Sequence, residues 1–251
     1  MRIDAHVHID GGLNFPDSMF ALADHYGVAK LCVSSLARGW PRNPTPDGIT
    51  EANDATRDLM ARHPDRIVGF CYVNPLHGQH ALDEIDRRVE REGFGGIKLW
   101  VSCYADDPHV FPIVEKAVEL RVVVLQHAWY NRQRDNATES KPHHVANLAH
   151  RYPEAKLLMA HSGGDWERGL RAIADAPNLH SDVCGSDCYA GMVEMAVAEL
   201  GADRVVWGTD CPGRSMASQI GKVLGADISD EDKEKILGGN IERLLDRECD
   251  A

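Results

Sequence analysis

His6 and His8 stand two residues apart in the run Ile3-Asp4-Ala5-His6-Val7-His8-Ile9. If that run is a strand, its period of two puts both imidazoles on one face. Two imidazoles turned into a core are costly unless they are hydrogen-bonded or bind something. By itself the pair admits three readings: a metal site, two hydrogen-bonded core histidines, or a solvent-facing pair. Four later segments repeat the arrangement, each an apolar run that ends in a polar residue. They are Gly95-Gly96-Ile97-Lys98-Leu99-Trp100, Val124-Leu125-Gln126-His127, Leu158-Met159-Ala160-His161-Ser162-Gly163-Gly164 and Trp207-Gly208-Thr209-Asp210-Cys211-Pro212. Taken singly, each has an ordinary structural explanation, such as a backbone-bonded core histidine, a snorkelling lysine or an aspartate capping a helix. Five such sets at the ends of apolar runs are hard to assign to chance. Imidazole and carboxylate are the ligand set of zinc, iron and manganese.

Positioning such groups together requires a particular arrangement of elements. Short, nearly continuous Val/Ile/Leu runs read as strands buried on both faces: Ile3–Ile9, Lys30–Ser35, Ile67–Asn74, Gly96–Val101, Val122–Ala128, Lys156–His161, Leu179–Cys184 and Arg204–Gly208. Helical patterns lie between them at Glu51–His63, Ala81–Glu92, Val110–Leu120, His143–Tyr152, Trp166–Asp175, Met192–Leu200 and Asp230–Asp246. Eight strands alternating with helices in a chain of 251 residues predict one (β/α)8 TIM-type barrel, slightly distorted, with a C-terminal closing helix. A doubly wound open sheet is the competing architecture, because strand order is not written in the sequence. No glycine fingerprint follows the first strand, where a dinucleotide-binding fold would carry one. With no linker or break in composition, residues 1–251 read as a single domain. A barrel would gather the polar strand ends at its C-terminal rim, where catalysis takes place in this architecture.

The chain carries 27 Lys+Arg against 39 Asp+Glu, a net charge of −12. Such a surface repels phosphate backbones and anionic membranes, so neither nucleic acid nor membrane is an expected partner. No apolar run approaches the roughly 20 residues that span a bilayer. Seven scattered cysteines and an N-terminus without a signal-like apolar segment predict a reduced, cytoplasmic protein with mostly buried thiols.

The ordered motifs D-A-H-V-H at 4–8, N-D-A-T-R-D-L-M-A-R-H-P-D-R-I-V-G-F at 53–70, G-G-I-K-L at 95–99, H-S-G-G at 161–164, W-G-T-D-C-P at 207–212 and I-L-G-G-N-I-E-R-L-L at 236–245 resemble the amidohydrolase superfamily. Specifically, the sequence resembles the amidohydrolase-related (amidohydrolase 2) branch, which includes relatives of aminocarboxymuconate semialdehyde decarboxylase. The resemblance covers nearly the whole chain. It implies a barrel with one or two divalent metals, zinc first, with manganese or iron as alternatives. By the same resemblance His6, His8 and His127 hold the metal and Asp210 completes the shell and handles a proton. His161 is a base, an electrophilic group or a ligand of a second ion. Lys98 stands where two-metal members carry a bridging carboxylated lysine. One ion is the preferred reading, two if Lys98 is carboxylated, and the alternative is a free ammonium that binds a substrate carboxylate or pairs with Asp210.

Arg38, Trp40, Arg42, Trp100, Trp129 and Arg132 fall on predicted C-terminal loops and form the candidate substrate-binding set. Aromatic walls with a few cations suit a small cyclic or aromatic acid, amide or lactone. Cys184 reads as a small core residue, and the histidines outside the four strand-end positions read as background. The leading functional expectation is a metal-dependent hydrolase of a small-molecule amide, cyclic imide or lactone. The alternative on the same scaffold is a non-oxidative decarboxylase or hydratase of a small carboxylic acid. A catalytically inactive binding barrel is the third reading. By analogy with barrels of this kind, a homodimer is a possible assembly.

Overall fold

The structure is a computed structural model that describes residues 1–9, 17–130, 137–185 and 187–248. Eight parallel strands form one sheet in sequence order: β1 (Arg2–Ile9), β2 (Val28–Ser35), β3 (Ile67–Tyr72), β4 (Gly96–Leu99), β5 (Val123–Gln126), β6 (Leu157–Met159), β7 (Leu179–Asp182) and β8 (Val205–Val206). Helices alternate with them: α1 (Asp17–His25), α2 (Pro46–Arg62), α3 (Gln79–Ile85), α4 (Phe111–Leu120), α5 (Pro142–Arg151), α6 (Trp166–Ala172), α7 (Met192–Leu200) and α8 (Met216–Leu224). This is a (β/α)8 barrel. All eight predicted strands are present. Helices α1 and α8 were not among the predicted ones. The predicted Asp230–Asp246 helix is broken into α9 (Asp230–Glu234), a wide turn over Lys235–Gly239, and α10 (Asn240–Leu245). No helix among the described residues is long and apolar enough to cross a membrane.

The wide turn has a packing cause. A Cβ at Gly238 would lie 1.8 Å from the Met1 carbonyl oxygen, so the turn can press against the start of β1 only with glycine there. Asn240 then donates to the carbonyls of Ala202 and Val205, both at 2.7 Å, which ties α10 to β8. Ile241 and Leu244 of α10 enter the barrel with Ile3, Ala5, Phe70 and Leu158, closing one end with apolar side chains. A larger apolar layer, which includes Leu31, Ile97, Val124 and Trp207, packs the outside of the strands against the helices.

Strand β1 changes phase on its way up. Ile3 and Ala5 belong to the interior cluster, whereas Val7 and Ile9 pack outside. Asp4 pairs with Leu31 and Val7 with Val33, so three residues of β1 advance against two of β2. This β-bulge re-aims the strand, so His6 and His8 replace the odd-numbered residues on the inner face.

The barrel closes between β8 and β1. Ala5 N donates to Trp207 O at 3.2 Å, Asp210 N to His6 O at 2.7 Å and His8 N to Cys211 O at 2.7 Å. The buried Asp4 carboxyl braces this seam. It accepts from Thr209 N at 2.9 Å, Thr209 Oγ1 at 2.7 Å and His6 N at 3.2 Å. Asp4→Ala strands these buried donors and should lower the unfolding free energy by about 1–3 kcal/mol in urea titrations. Burial raises the Asp4 carboxyl to about 7. The contribution of the group is therefore full below the ordinary carboxylate range, and the gap between variant and wild type should narrow as pH rises through 7.

Candidate metal centre

The inner face above the apolar plug holds His6, His8, Lys98, His161, Asp182 and Cys184, all buried, with Asp210 partly open to the mouth. Each is aimed by local backbone. His6 and His8 owe their common face to the bulge. His161 follows β6 rather than ending it, and His161 and Ser162 both lie in the left-handed region (φ 63° and 45°). That turn brings His161 inward although Ala160 already points there. Asp210 is likewise left-handed at φ 61°, a conformation Asp tolerates better than most residues. Gly185 has φ +72°, and a Cβ on it would meet His161 Nδ1 at 2.2 Å.

The hydrogen bonds settle which nitrogens face one another. His8 Nδ1 lies 3.1 Å from the Ser34 carbonyl oxygen, which only accepts, so Nδ1 carries the proton. His6 Nδ1 lies 2.8 Å from Asp182 Oδ2 and donates to it. Both Nε2 lone pairs therefore point inward, and the two nitrogens are 3.0 Å apart. Asp210 Oδ1 is 3.7 Å from His8 Nε2, and Lys98 Nζ is 2.9 Å from His6 Nε2. Acceptors this close repel unless a cation or a proton sits among them. Imidazoles backed by a carboxylate (His6) and by a backbone carbonyl (His8), with their other nitrogens converging, are the outer-shell arrangement of metal centres. The donor set of His6, His8 and Asp210 fits a divalent metal ion, and these ligand atoms lie within 4.8 Å of one another.

The electrostatics agree with that fit. Burial holds His6, His8 and His161 well below the usual imidazole range, with Lys98 and neighbouring imidazoles adding to the effect. All three stay neutral, as ligands must. Burial raises the Asp210 carboxyl to about 6 and Asp182 to about 6, with the nearby Lys98 opposing it in each case. Burial lowers the Lys98 ammonium to about 8 against the pull of Asp210.

The other expected site residues are placed as follows. His127 turns its Nε2 to Glu139 Oε1 at 3.1 Å, and its Nδ1 lies 3.2 Å from His161 Nε2. It stands beside the cluster, with neither nitrogen among the converging donors. Trp40 meets the His8 ring edge-on at 5.8 Å and Trp100 at 6.4 Å, and Trp129 lies 5.5 Å from His161. Arg42 donates to the Ala137 carbonyl at 2.6 Å; burial lowers the His127 imidazole, and the charges of Lys98 and Arg42 add to that. Arg38 is exposed. Arg132 lies outside the described residues. Three residues without an assigned role also belong here: Asp182, Glu139 and Cys184, which touches His6 and His161. The continuation of strand-seven alternation through His180, Asp182 and Cys184 is the signal that points to two of them. His180 itself is a buried interior residue rather than background.

Residues 3–247 match the family model described as Amidohydrolase, Amidohydro_2. The chain belongs to this family. The Amidohydro_2 chain is 23% identical over 233 residues to the 2-amino-3-carboxymuconate-6-semialdehyde decarboxylase of Dictyostelium discoideum, covering 77% of this chain and 65% of that protein, just under two thirds of its length. It is 22% identical over 290 residues to the gamma-resorcylate decarboxylase of Polaromonas sp. (93% and 88% covered). It is 24% identical over 285 residues to the L-fucono-1,5-lactonase of Burkholderia ambifaria (95% and 93% covered). The crystal structure of a dihydroxybenzoic acid decarboxylase from Polaromonas sp. JS666, with bound manganese and 2-nitroresorcinol, superposes with a TM-score of 0.79 at 19% identity. It covers 97% of this chain and 96% of that one, a likeness of fold.

Two outcomes follow for this amidohydrolase. Asp182→Asn, which weakens the hold on His6 Nδ1, should reduce divalent-cation affinity by roughly 10–100-fold in calorimetric titration. In wild type, cation binding should weaken as pH falls through about 6, where Asp210 takes up a proton. The histidines titrate lower and should not set that limit, which competition titrations between pH 5 and 8 would show.

Proposed function

We propose that this chain is a metal-dependent, non-oxidative decarboxylase of a small aromatic carboxylic acid. The observation that carries the reading is the pairing of the His6–His8–Asp210 donor set with a mouth walled by Trp40, Trp100 and Trp129. Flat indole faces suit a planar ring. The relatives named as decarboxylases, matched over 93% of this chain in the gamma-resorcylate case, support it over the hydrolase expectation. One matched relative, the lactonase, favours hydrolysis as a second reading.

In the proposed chemistry His6, His8 and Asp210 hold the divalent ion, whose charge, when bound, stabilises negative charge on substrate oxygens. Arg38 and Arg42 lie on the loop after β2 and supply cationic contacts for an anionic acid. The tryptophans orient the ring and exclude water from it. Asp210, whose carboxyl burial raises to about 6, takes a proton from the substrate acid or solvent, passes it to the ring carbon that bears the carboxylate, and is left as the carboxylate that holds the ion. The carbon–carbon bond then breaks, its electron pair returns to the ring, and carbon dioxide leaves. His161, kept neutral by burial, reaches the substrate through His127, which its Nε2 meets at 3.2 Å.

Manganese- and zinc-loaded protein should release carbon dioxide from a panel of hydroxybenzoates with no net addition of water. Lactone opening without any carbon dioxide from the acids would replace this reading with the hydrolase. Asp210→Asn should lower turnover by about 100-fold or more while circular dichroism stays unchanged, because Asn also accepts the left-handed backbone.

A further inference from the structure

The His6 ring presents a nitrogen to each of two donor groups. Nε2 faces His8 and Asp210. Nδ1 faces Cys184 Sγ at 3.1 Å, and the same sulfur lies 3.2 Å from His161 Nδ1. His6, His161 and Cys184 are all buried, and their ligand atoms lie within 4.8 Å of one another. Nitrogen and sulfur donors around a tetrahedral zinc stand about 3.5 Å apart, so the two sulfur–nitrogen distances have to open by only a few tenths of an ångström. A neutral imidazole has one lone pair and serves one group at a time. With its proton on Nδ1, held by Asp182, His6 serves the group with His8 and Asp210. With the proton on Nε2, donated across 3.0 Å to His8 Nε2, Nδ1 turns its lone pair to the sulfur group; a cation there also meets the charge of the Asp182 carboxylate 2.8 Å from that nitrogen, and Lys98 Nζ, 2.9 Å from Nε2, then faces a donor as a neutral amine.

We propose that Cys184, His161 and Nδ1 of His6 form a second, thiolate-bearing cation position that takes a thiophilic divalent ion such as zinc or cobalt, and that it competes with the His8–Asp210 position for His6. Thiolate selects zinc and its thiophilic neighbours, whereas imidazole with carboxylate also suits manganese. Binding forms the sulfur–metal bond as the thiol proton leaves to solvent, and no electron is transferred. The two positions divide the rim by metal softness, and the tautomer of one ring decides between them. The inference rests on the reading of His6, His8 and Asp210 as a metal position.

The test is a cobalt titration of manganese-loaded protein. A sulfur-to-cobalt charge-transfer band in the near ultraviolet should grow while free manganese, read by its solution paramagnetic resonance signal, is released in step. Cys184→Ser should lose the band and, because cobalt also outbinds manganese at nitrogen and oxygen donors, should release manganese only at roughly tenfold or more higher cobalt than wild type. Circular dichroism checks its fold, and Cys184→Ala serves as the second variant. No band in wild type, a band with manganese retained, or equal manganese release from Cys184→Ser would each overturn the proposal. Carbon dioxide release by cobalt-free, manganese-loaded protein keeps the two ideas apart. If it persists while the band is absent, only the thiolate position falls. If the band forms with manganese released in step but the manganese-loaded protein yields no carbon dioxide, the decarboxylase reading falls instead.

Discussion

The seam between β8 and β1 is the constraint on which the rest of the centre depends. It is made of three backbone hydrogen bonds and one buried carboxyl, Asp4, which collects donors from both sides. The bond from Asp210 N to His6 O is part of the same seam. Closing the barrel and bringing the carboxylate of one strand beside the imidazoles of another are thus one event. A barrel that failed to close there would lose its donor set together with its last strand pairing.

The seam also sets the electrostatics. Closure buries three imidazoles, three carboxyls and an ammonium in a small volume. Desolvation then moves every one of them towards its neutral form: the imidazoles and Lys98 downwards, Asp4, Asp182 and Asp210 upwards. Neutral imidazoles beside carboxylates that are ionised above about 6 make a low-dielectric pocket that favours a cation, whose charge those carboxylates balance. The net charge of −12 lies around this centre and does not describe it.

Several residues that mark the family in the sequence serve the scaffold rather than the chemistry. Asn53 accepts from Tyr72 N and donates to Tyr72 O, both at 2.9 Å, pinning α2 to β3. Its side chain also reaches Glu84, which pairs with the buried Arg88. Gly238 and Asn240 seat the closing segment. Motif membership alone did not separate such residues from His6 or Asp210.

The sequence by itself determined the number and order of the strands, because buried parallel strands must be nearly continuous apolar runs. It also placed Lys98, His127, His161 and Asp210 at the ends of such runs. Strand-to-strand neighbours and barrel closure came only with the tertiary structure, since parallel pairing joins residues tens of positions apart and leaves no local mark. The direction in which each end residue points was equally non-local. The bulge in β1 and the left-handed turns at His161 and Asp210 override the alternation that a sequence reader must assume. Asp182, Glu139 and Cys184 acquired their neighbours only when three-dimensional packing brought them against His6, His127 and His161. Helices α1 and α8 lie outside the helical patterns of the sequence, and the break between α9 and α10 sits where Gly238 packs against Met1 at the other end of the chain.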